Sequence, residues 1–292
     1  MLTTIPIQST MRTKILDLMC LTVLVYDYNE VFKLESMNKF INNPEAERCQ
    51  NALNNLSGFQ KEALLRLSEN SPHGKVTKFI DDKTSDLQAG VTVSEANKRI
   101  TVAFRGSESL SDWLHDLRFF KYNLKNDIYV HRGFHQQLHT NDVYEELVNE
   151  IKALLKKYPI YEIYICGHSL GGALSTLFGF ELSHVIENLV TVVSFASPRV
   201  GNYAWKTAFD KKINLKHIRV ANSKDIVTAA PMFRFHHTGT AVKLYDDKIT
   251  VNKDYSYNKW WEYSLFRCYS VGEHSCELYY NRLKNNTEIE EI

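Results

Sequence analysis

The pentapeptide Gly167-His168-Ser169-Leu170-Gly171 stands where a short apolar strand pattern runs directly into a helical one, and this junction constrains the fold more than any other feature. Residues 160–166 carry Ile160, Tyr161, Ile163, Tyr164 and Ile165, the composition of a strand buried on both faces. Residues 171–184 return to helical composition. A strand that reverses straight into a helix forces its apical residue into a strained backbone, and flanking residues without a Cβ let the two limbs approach. The Ser169 hydroxyl then stands clear of the sheet at a helix N-terminus, where free N–H groups, Leu170 N–H among them, favour a developing oxyanion. Gly172 and Ala173 let the helix pack tightly on the sheet.

The flanking pattern supplies the rest of the architecture. Val143, Leu147, Ile151, Leu154 and Leu155 form the stripe of an amphipathic helix over 141–158, stopped by Pro159. Residues 189–195 and 217–221 read as two further buried strands. Strands alternating with helices imply right-handed crossovers, hence an α/β fold with a mostly parallel central sheet flanked by helices. Ahead of this block, 88–94 and 99–104 surround the turn-forming Glu95-Ala96-Asn97-Lys98 and read as a hairpin at a sheet edge. Residues 60–68 have helical spacing. From Met11 to Tyr26, Arg12 and Lys14 precede an apolar run that Asp17 interrupts. The run is shorter than the roughly 20 residues needed to span a bilayer, and no small-residue cleavage pattern follows, so a buried N-terminal helix is expected rather than a leader or a transmembrane segment. Without repeats, low-complexity tracts or a Pro/Gly-rich linker, 1–292 reads as a single domain.

Charge excludes some partners. The 35 basic and 34 acidic side chains leave a net charge of +1, so no global field draws the chain to nucleic acid or an anionic membrane, and any lipid contact rests on a local apolar surface. Cys20, Cys49, Cys166, Cys268 and Cys276 are odd in number and scattered, with no Cys-x-x-Cys pair and no zinc-like spacing. Free thiols in a reducing compartment are expected, which places the chain in the cytoplasm rather than on a secretory route.

A serine hydroxyl needs a base, and the base needs a carboxylate to orient it. Asp225 follows the 217–221 strand through Asn222-Ser223-Lys224, at the rim where such sheets assemble their sites. The histidines considered as base are His236, His237 and His274. The first two sit in an alternating stretch, 233–242, that reads as a strand or hairpin with its histidines hydrogen-bonded inside the sheet. His274, in Gly272-Glu273-His274-Ser275, is presented on a loop and is preferred. Upstream, Ala103-Phe104-Arg105-Gly106-Ser107 ends the hairpin with a turn; if Ser107 faces the elbow, its N–H and hydroxyl complete an oxyanion hole with Leu170 N–H. Arg105 is expected to fix that turn.

Five segments together resemble the class 3, fungal-type lipases of the α/β-hydrolase fold: Phe104-Arg105-Gly106-Ser107, Asp112-Trp113-Leu114-His115-Asp116-Leu117, His131-Arg132-Gly133-Phe134, Gly167 to Ala173, and Phe195-Ala196-Ser197-Pro198-Arg199-Val200-Gly201-Asn202. The likeness spans roughly residues 85 to 280. It implies a Ser169, Asp225 and His274 triad, oxyanion donors at Ser107 and Leu170, no metal or organic cofactor, and a lipid ester substrate, triacylglycerol first, met at a membrane or droplet surface. Phospholipase A, galactolipase and short-chain esterase activity are the alternatives among enzymes, and an inactive lipid- or protein-binding lipase fold is the alternative outside them. The resemblance also implies a helical lid over 107–122, where Leu110, Trp113, Leu114, Leu117 and Phe120 share one face; an ordinary core-facing helix shows the same stripe. Residues 246–269, rich in lysine and aromatic side chains, are unlike the compact family form and read as an insertion.

Overall fold

The computed structural model describes residues 7–31, 54, 56–69, 74–107, 120–231, 234–252 and 269–291. Segments 108–119 and 253–268, which hold most of the expected lid and insertion, lie outside the described residues.

The chain opens with α1 (Ile7–Val31) and α2 (Gly58–Glu69). Residues 18–25 of α1 are each no more than 2% exposed, as a helix apolar on all sides must be. The buried Thr22 hydroxyl donates to the Leu18 carbonyl at 2.9 Å. Strands β1 (Lys75–Asp82), β2 (Leu87–Ser94) and β3 (Arg99–Phe104) follow. The expected hairpin is β2 and β3, antiparallel, but it is not at the edge: β1 pairs with β2 on its outer side, and every residue of β2 is buried. The mixed composition of β1, Lys-Val-Thr-Lys-Phe-Ile-Asp-Asp, is that of an edge strand with one wet face.

A small separate hairpin, β4 (Lys121–Lys125) and β5 (Ile128–His131), comes next. Its two-residue turn, Asn126-Asp127, has φ of +51° and +60°, the left-handed pair that tight hairpins require. Lys121 and Tyr122, placed at the end of the lid helix by sequence, are therefore strand. Beyond lie α3 (Arg132–Leu138), α4 (Val143–Lys157), β6 (Glu162–His168), α5 (Leu170–Leu182), β7 (Val190–Phe195), α6 (Tyr203–Asp210) and β8 (Leu215–Asn222). The described chain closes with β9 (Thr240–Leu244), β10 (Ile249–Asn252), α7 (Cys276–Asn285) and β11 (Ile289–Glu291). The strand expected over 233–242 is confined to β9, and β10 takes the first part of the expected insertion into the sheet.

Among the described residues nine strands form one sheet in the order β1-β2-β3-β6-β7-β8-β9-β10-β11. From β3 through β9 every neighbouring pair is parallel. One face packs against α1, α2 and α7 through residues such as Leu21, Cys166, Phe195 and Tyr279. The other packs against α3, α4, α5 and α6 through Ile165, Val192, Leu177 and Trp205. Among the described residues no helix is long and apolar enough to cross a membrane.

The Phe195 to Asn202 motif fastens the loop after β7. Arg199 is buried and donates to the Ala229 and Pro231 carbonyls. Asn202 caps α6, its side-chain oxygen accepting Trp205 N–H at 2.9 Å. A Cβ on Gly201 would meet Trp205 Cγ at 2.4 Å, so only glycine lets the indole lie there.

Candidate active site

β6 turns into α5 at Ser169, whose φ of 59° and ψ of −125° fall in a region that residues with a Cβ rarely enter. The neighbouring glycines make the turn possible. A Cβ on Gly167 would sit 2.4 Å from the Gly171 carbonyl, and one on Gly171 would sit 2.4 Å from the Phe104 carbonyl oxygen. Ser169 N–H donates to the Phe195 carbonyl at 2.9 Å, tying the turn to the end of β7. Ser169 is 4% exposed, and Leu170 opens α5, where the first N–H groups have no helical partner.

Asp225 lies just past β8 and is fully buried. Its carboxylate accepts from Val227 N–H at 2.9 Å and from the Tyr279 hydroxyl at 2.8 Å. His274 closes the short turn Gly272–His274 ahead of α7, and its Nδ1 is 2.9 Å from Asp225 Oδ2 and 3.1 Å from Oδ1. A carboxylate can only accept, so Nδ1 carries the proton and Nε2 presents a lone pair. Nε2 is buried and makes no hydrogen bond among the described residues.

Several residues hold this pair. A bridge between Asp225 and Ser270 joins the two loops. Asn222 Nδ2 donates to the Glu273 carbonyl at 2.7 Å, and the Glu273 carboxylate pairs with Arg282 of α7. Tyr279 accepts from Asn222 N–H while donating to Asp225; burial first, and the Asp225 charge second, push its hydroxyl well above the ordinary tyrosine range. His168 lies against His274 with ring centroids 4.6 Å apart. Burial, then the nearby His274, push His168 well below the ordinary histidine range, so it is neutral. Its Nε2 donates to the His274 carbonyl at 2.9 Å, which leaves Nδ1 to accept from the Tyr26 hydroxyl at 3.2 Å. Sequence reasoning assigned no part to Tyr26, His168 or Tyr279. His168 lay in view inside the pentapeptide, whereas nothing local marks the two tyrosines.

Gly106, before Ser107, packs against the elbow: a Cβ there would fall 2.0 Å from the Tyr26 hydroxyl and 2.6 Å from the His168 carbonyl. Ser107 is partly exposed at the end of the described segment. Arg105 donates to Asp86 at 2.9 Å and so fixes the turn, as expected. His237 and His217 serve the framework. His237 donates to the Thr228 carbonyl at 2.8 Å. His217 lies within β8 between Ser194 and Thr238, at 2.8 and 2.7 Å, and burial lowers it to about 3. With a threonine rather than a carboxylate behind the ring, and Ser194 inaccessible inside β7, that serine–histidine contact is a sheet cross-link.

The sheet, with its strained serine between strand and helix and an Asp–His pair at its C-terminal rim, has the α/β-hydrolase fold. The family model for class 3 lipases matches residues 101–235. The chain is 32% identical over 181 residues to a lipase of Rhizomucor miehei, covering 59% of this chain and 49% of that one. It is 30% identical over 177 residues to a secreted alkaline triacylglycerol lipase of Penicillium cyclopium, covering 56% and 61%. The lipase structure from Rhizopus microsporus var. chinensis superposes with a TM-score of 0.69 over 91% of this chain and 86% of that one, at 21% identity. Over residues 101–235 the chain is similar to the class 3 lipases, and its fold is that of the solved lipase structure. It spans about half to three-fifths of the length of these two curated relatives, 49% and 61%.

The relatives overturn the cytoplasmic expectation: the Penicillium enzyme is named as secreted. The physical reason lies in the core. Cys20 and Cys166 are buried free thiols inside a large apolar interior, and a fold held by such a core needs no disulfides, so the lack of one among the described residues does not report a reducing compartment.

Proposed function

We propose that the protein is a serine carboxylic-ester hydrolase acting on acylglycerols, with Ser169 as nucleophile, His274 as base, Asp225 as the acid that orients it, and Ser107 and Leu170 as oxyanion donors. The observation that carries this reading is His274, whose Nδ1 is engaged by a buried Asp225 while its buried Nε2 has no hydrogen-bond partner among the described residues, its ring packed on the residue before Ser169. In the first step Ser169 Oγ attacks the ester carbonyl and its proton passes to His274 Nε2. The imidazolium is stabilised by Asp225, the oxyanion by the Leu170 and Ser107 donors, and the alcohol leaves with the proton from Nε2. Water, deprotonated by the same nitrogen, then releases the fatty acid from the acyl-enzyme. Each oxyanion donor contributes on the order of 3 kcal/mol to the transition state.

An activity panel tests this. Long-chain triacylglycerol, phosphatidylcholine and a soluble butyrate ester are compared, with Ser169→Ala as control. The reading requires triacylglycerol to be the best substrate and Ser169→Ala to lose on the order of 10⁶ in turnover. Residual activity within about tenfold of wild type would remove Ser169 as nucleophile. Phosphatidylcholine or butyrate hydrolysed fastest would reassign the substrate, and a wild-type protein inert to a fluorophosphonate would mark a binding module.

A further inference from the structure

Away from the active site, α3 and α5 bring His135, His139 and Glu181 together. His135 and His139 are four residues apart and share one face as α3 ends, where His139 N–H donates to the His135 carbonyl at 3.1 Å. Their rings stack with centroids 4.3 Å apart. Tyr122 covers the other side of His135 at 3.7 Å, and Tyr144 lies against His139 at 4.9 Å. The ring faces are thus taken, and the nitrogen-bearing edges are what remain for a ligand. Glu181, in the last turn of α5, meets that edge with Oε2 at 2.9 Å from His139 Nε2. A donor atom from each of the three side chains lies within 4.8 Å of the others. An ion pair with His139 accounts for only one carboxylate oxygen. The second, Oε1, is buried and has no hydrogen-bond partner among the described residues.

The geometry points to a site for a divalent cation of the zinc class, bound by His135, His139 and Glu181. Two imidazoles and one carboxylate suit a borderline ion, whereas magnesium and calcium favour oxygen ligands throughout. Zinc at about 2.0–2.2 Å from each ligand in tetrahedral geometry holds them roughly 3.4 Å apart. That value falls between the observed 2.9 Å contact and the 4.8 Å limit, within reach of side-chain rotation. All three residues are partly exposed, which leaves the remaining coordination positions to water. Bound there, the ion clamps α3 to the end of α5 remote from Ser169, so its role is structural.

The test uses the full chain, stripped with EDTA and titrated with zinc chloride alone, with calorimetry and thermal unfolding as readouts. One ion is expected to bind per chain and to raise the melting temperature. His135→Gln and His139→Gln are each expected to weaken binding by at least about tenfold, as loss of a metal-site contact does. Magnesium chloride should leave the melting temperature unchanged. The metal-free melting temperature of each variant separates a folding defect from lost affinity, and His135→Gln, which leaves the His139–Glu181 pair intact, decides the matter if His139→Gln does not fold. Absence of zinc binding in the wild type, or binding unweakened in His135→Gln, would overturn the site.

Discussion

His168 Nε2 lies 2.9 Å from the carbonyl oxygen of His274, so the residue preceding the elbow serine holds the main chain of the proposed base. Through Nδ1 the same ring is held by Tyr26 of α1, and the N-terminal helix is thereby linked to the loop that carries His274. Replacing the ring by one of similar shape without nitrogens isolates this link. His168→Phe takes the donor from the His274 carbonyl and the acceptor from the Tyr26 hydroxyl proton, and a buried polar group left unsatisfied costs about 1–3 kcal/mol. The expected result is a lower melting temperature and a turnover reduced by about tenfold or more on a soluble ester, with KM little changed. Wild-type turnover in the variant would show that the link does not position His274.

Tyr279 donates to the Asp225 carboxylate at 2.8 Å and accepts from Asn222 N–H at 2.9 Å. Tyr279→Phe removes both bonds and strands a buried N–H. A hydrogen bond to a charged group contributes about 1.5–3 kcal/mol, so denaturant unfolding should register a loss of that size. A change below about 0.5 kcal/mol, the usual range of surface substitutions, would contradict the buried network.

Gly167→Ala drives a methyl group into the Gly171 main chain at 2.4 Å and the Phe104 carbonyl at 2.8 Å, where no side chain can yield. Overpacking against backbone costs about 1–3 kcal/mol or more, and the serine is displaced with it. Activity and stability should fall together. Gly58→Ala, with nothing within 4 Å of the added carbon, is the matched control and should leave both unchanged.

Burial holds three framework histidines below their ordinary range: His168 and His237 well below it, and His217 down to about 3. Between that depressed value and the ordinary one near 6.5, the unfolded chain binds protons that the folded chain does not. Stability is therefore full above about pH 6.5 and falls as the pH drops, by up to about 1.4 kcal/mol per pH unit for each histidine. Urea unfolding at pH 7, 6 and 5 measures it. Equal stability at pH 7 and 5 would mean that these rings titrate normally in the folded protein.

The strand-to-helix elbow was legible because its determinants are consecutive: two glycines around a serine, a β-branched run before it, a helical run after it. The parallel sheet was legible for the same reason, since periodicity is a local property. Asp225 and His274 could be named from loop position and chain order. The edge of the sheet was misread because β1, with its charged and polar positions, carries a weak strand pattern and is a strand through pairing with β2. The β4–β5 hairpin was likewise missed, its turn marked only by Asn126-Asp127.

The sequence by itself determined the class of fold and the serine elbow at its centre, because backbone sterics and hydrophobic period are written in neighbouring residues. Only the tertiary structure decided what supports that centre. Tyr26 is 142 residues from His168, His168 is 106 from His274, and Tyr279 is 54 from Asp225. Bonds over such spans exist only once α1 and α7 dock on one face of the sheet, and no local pattern encodes which polar atom of a docked helix will meet which buried partner.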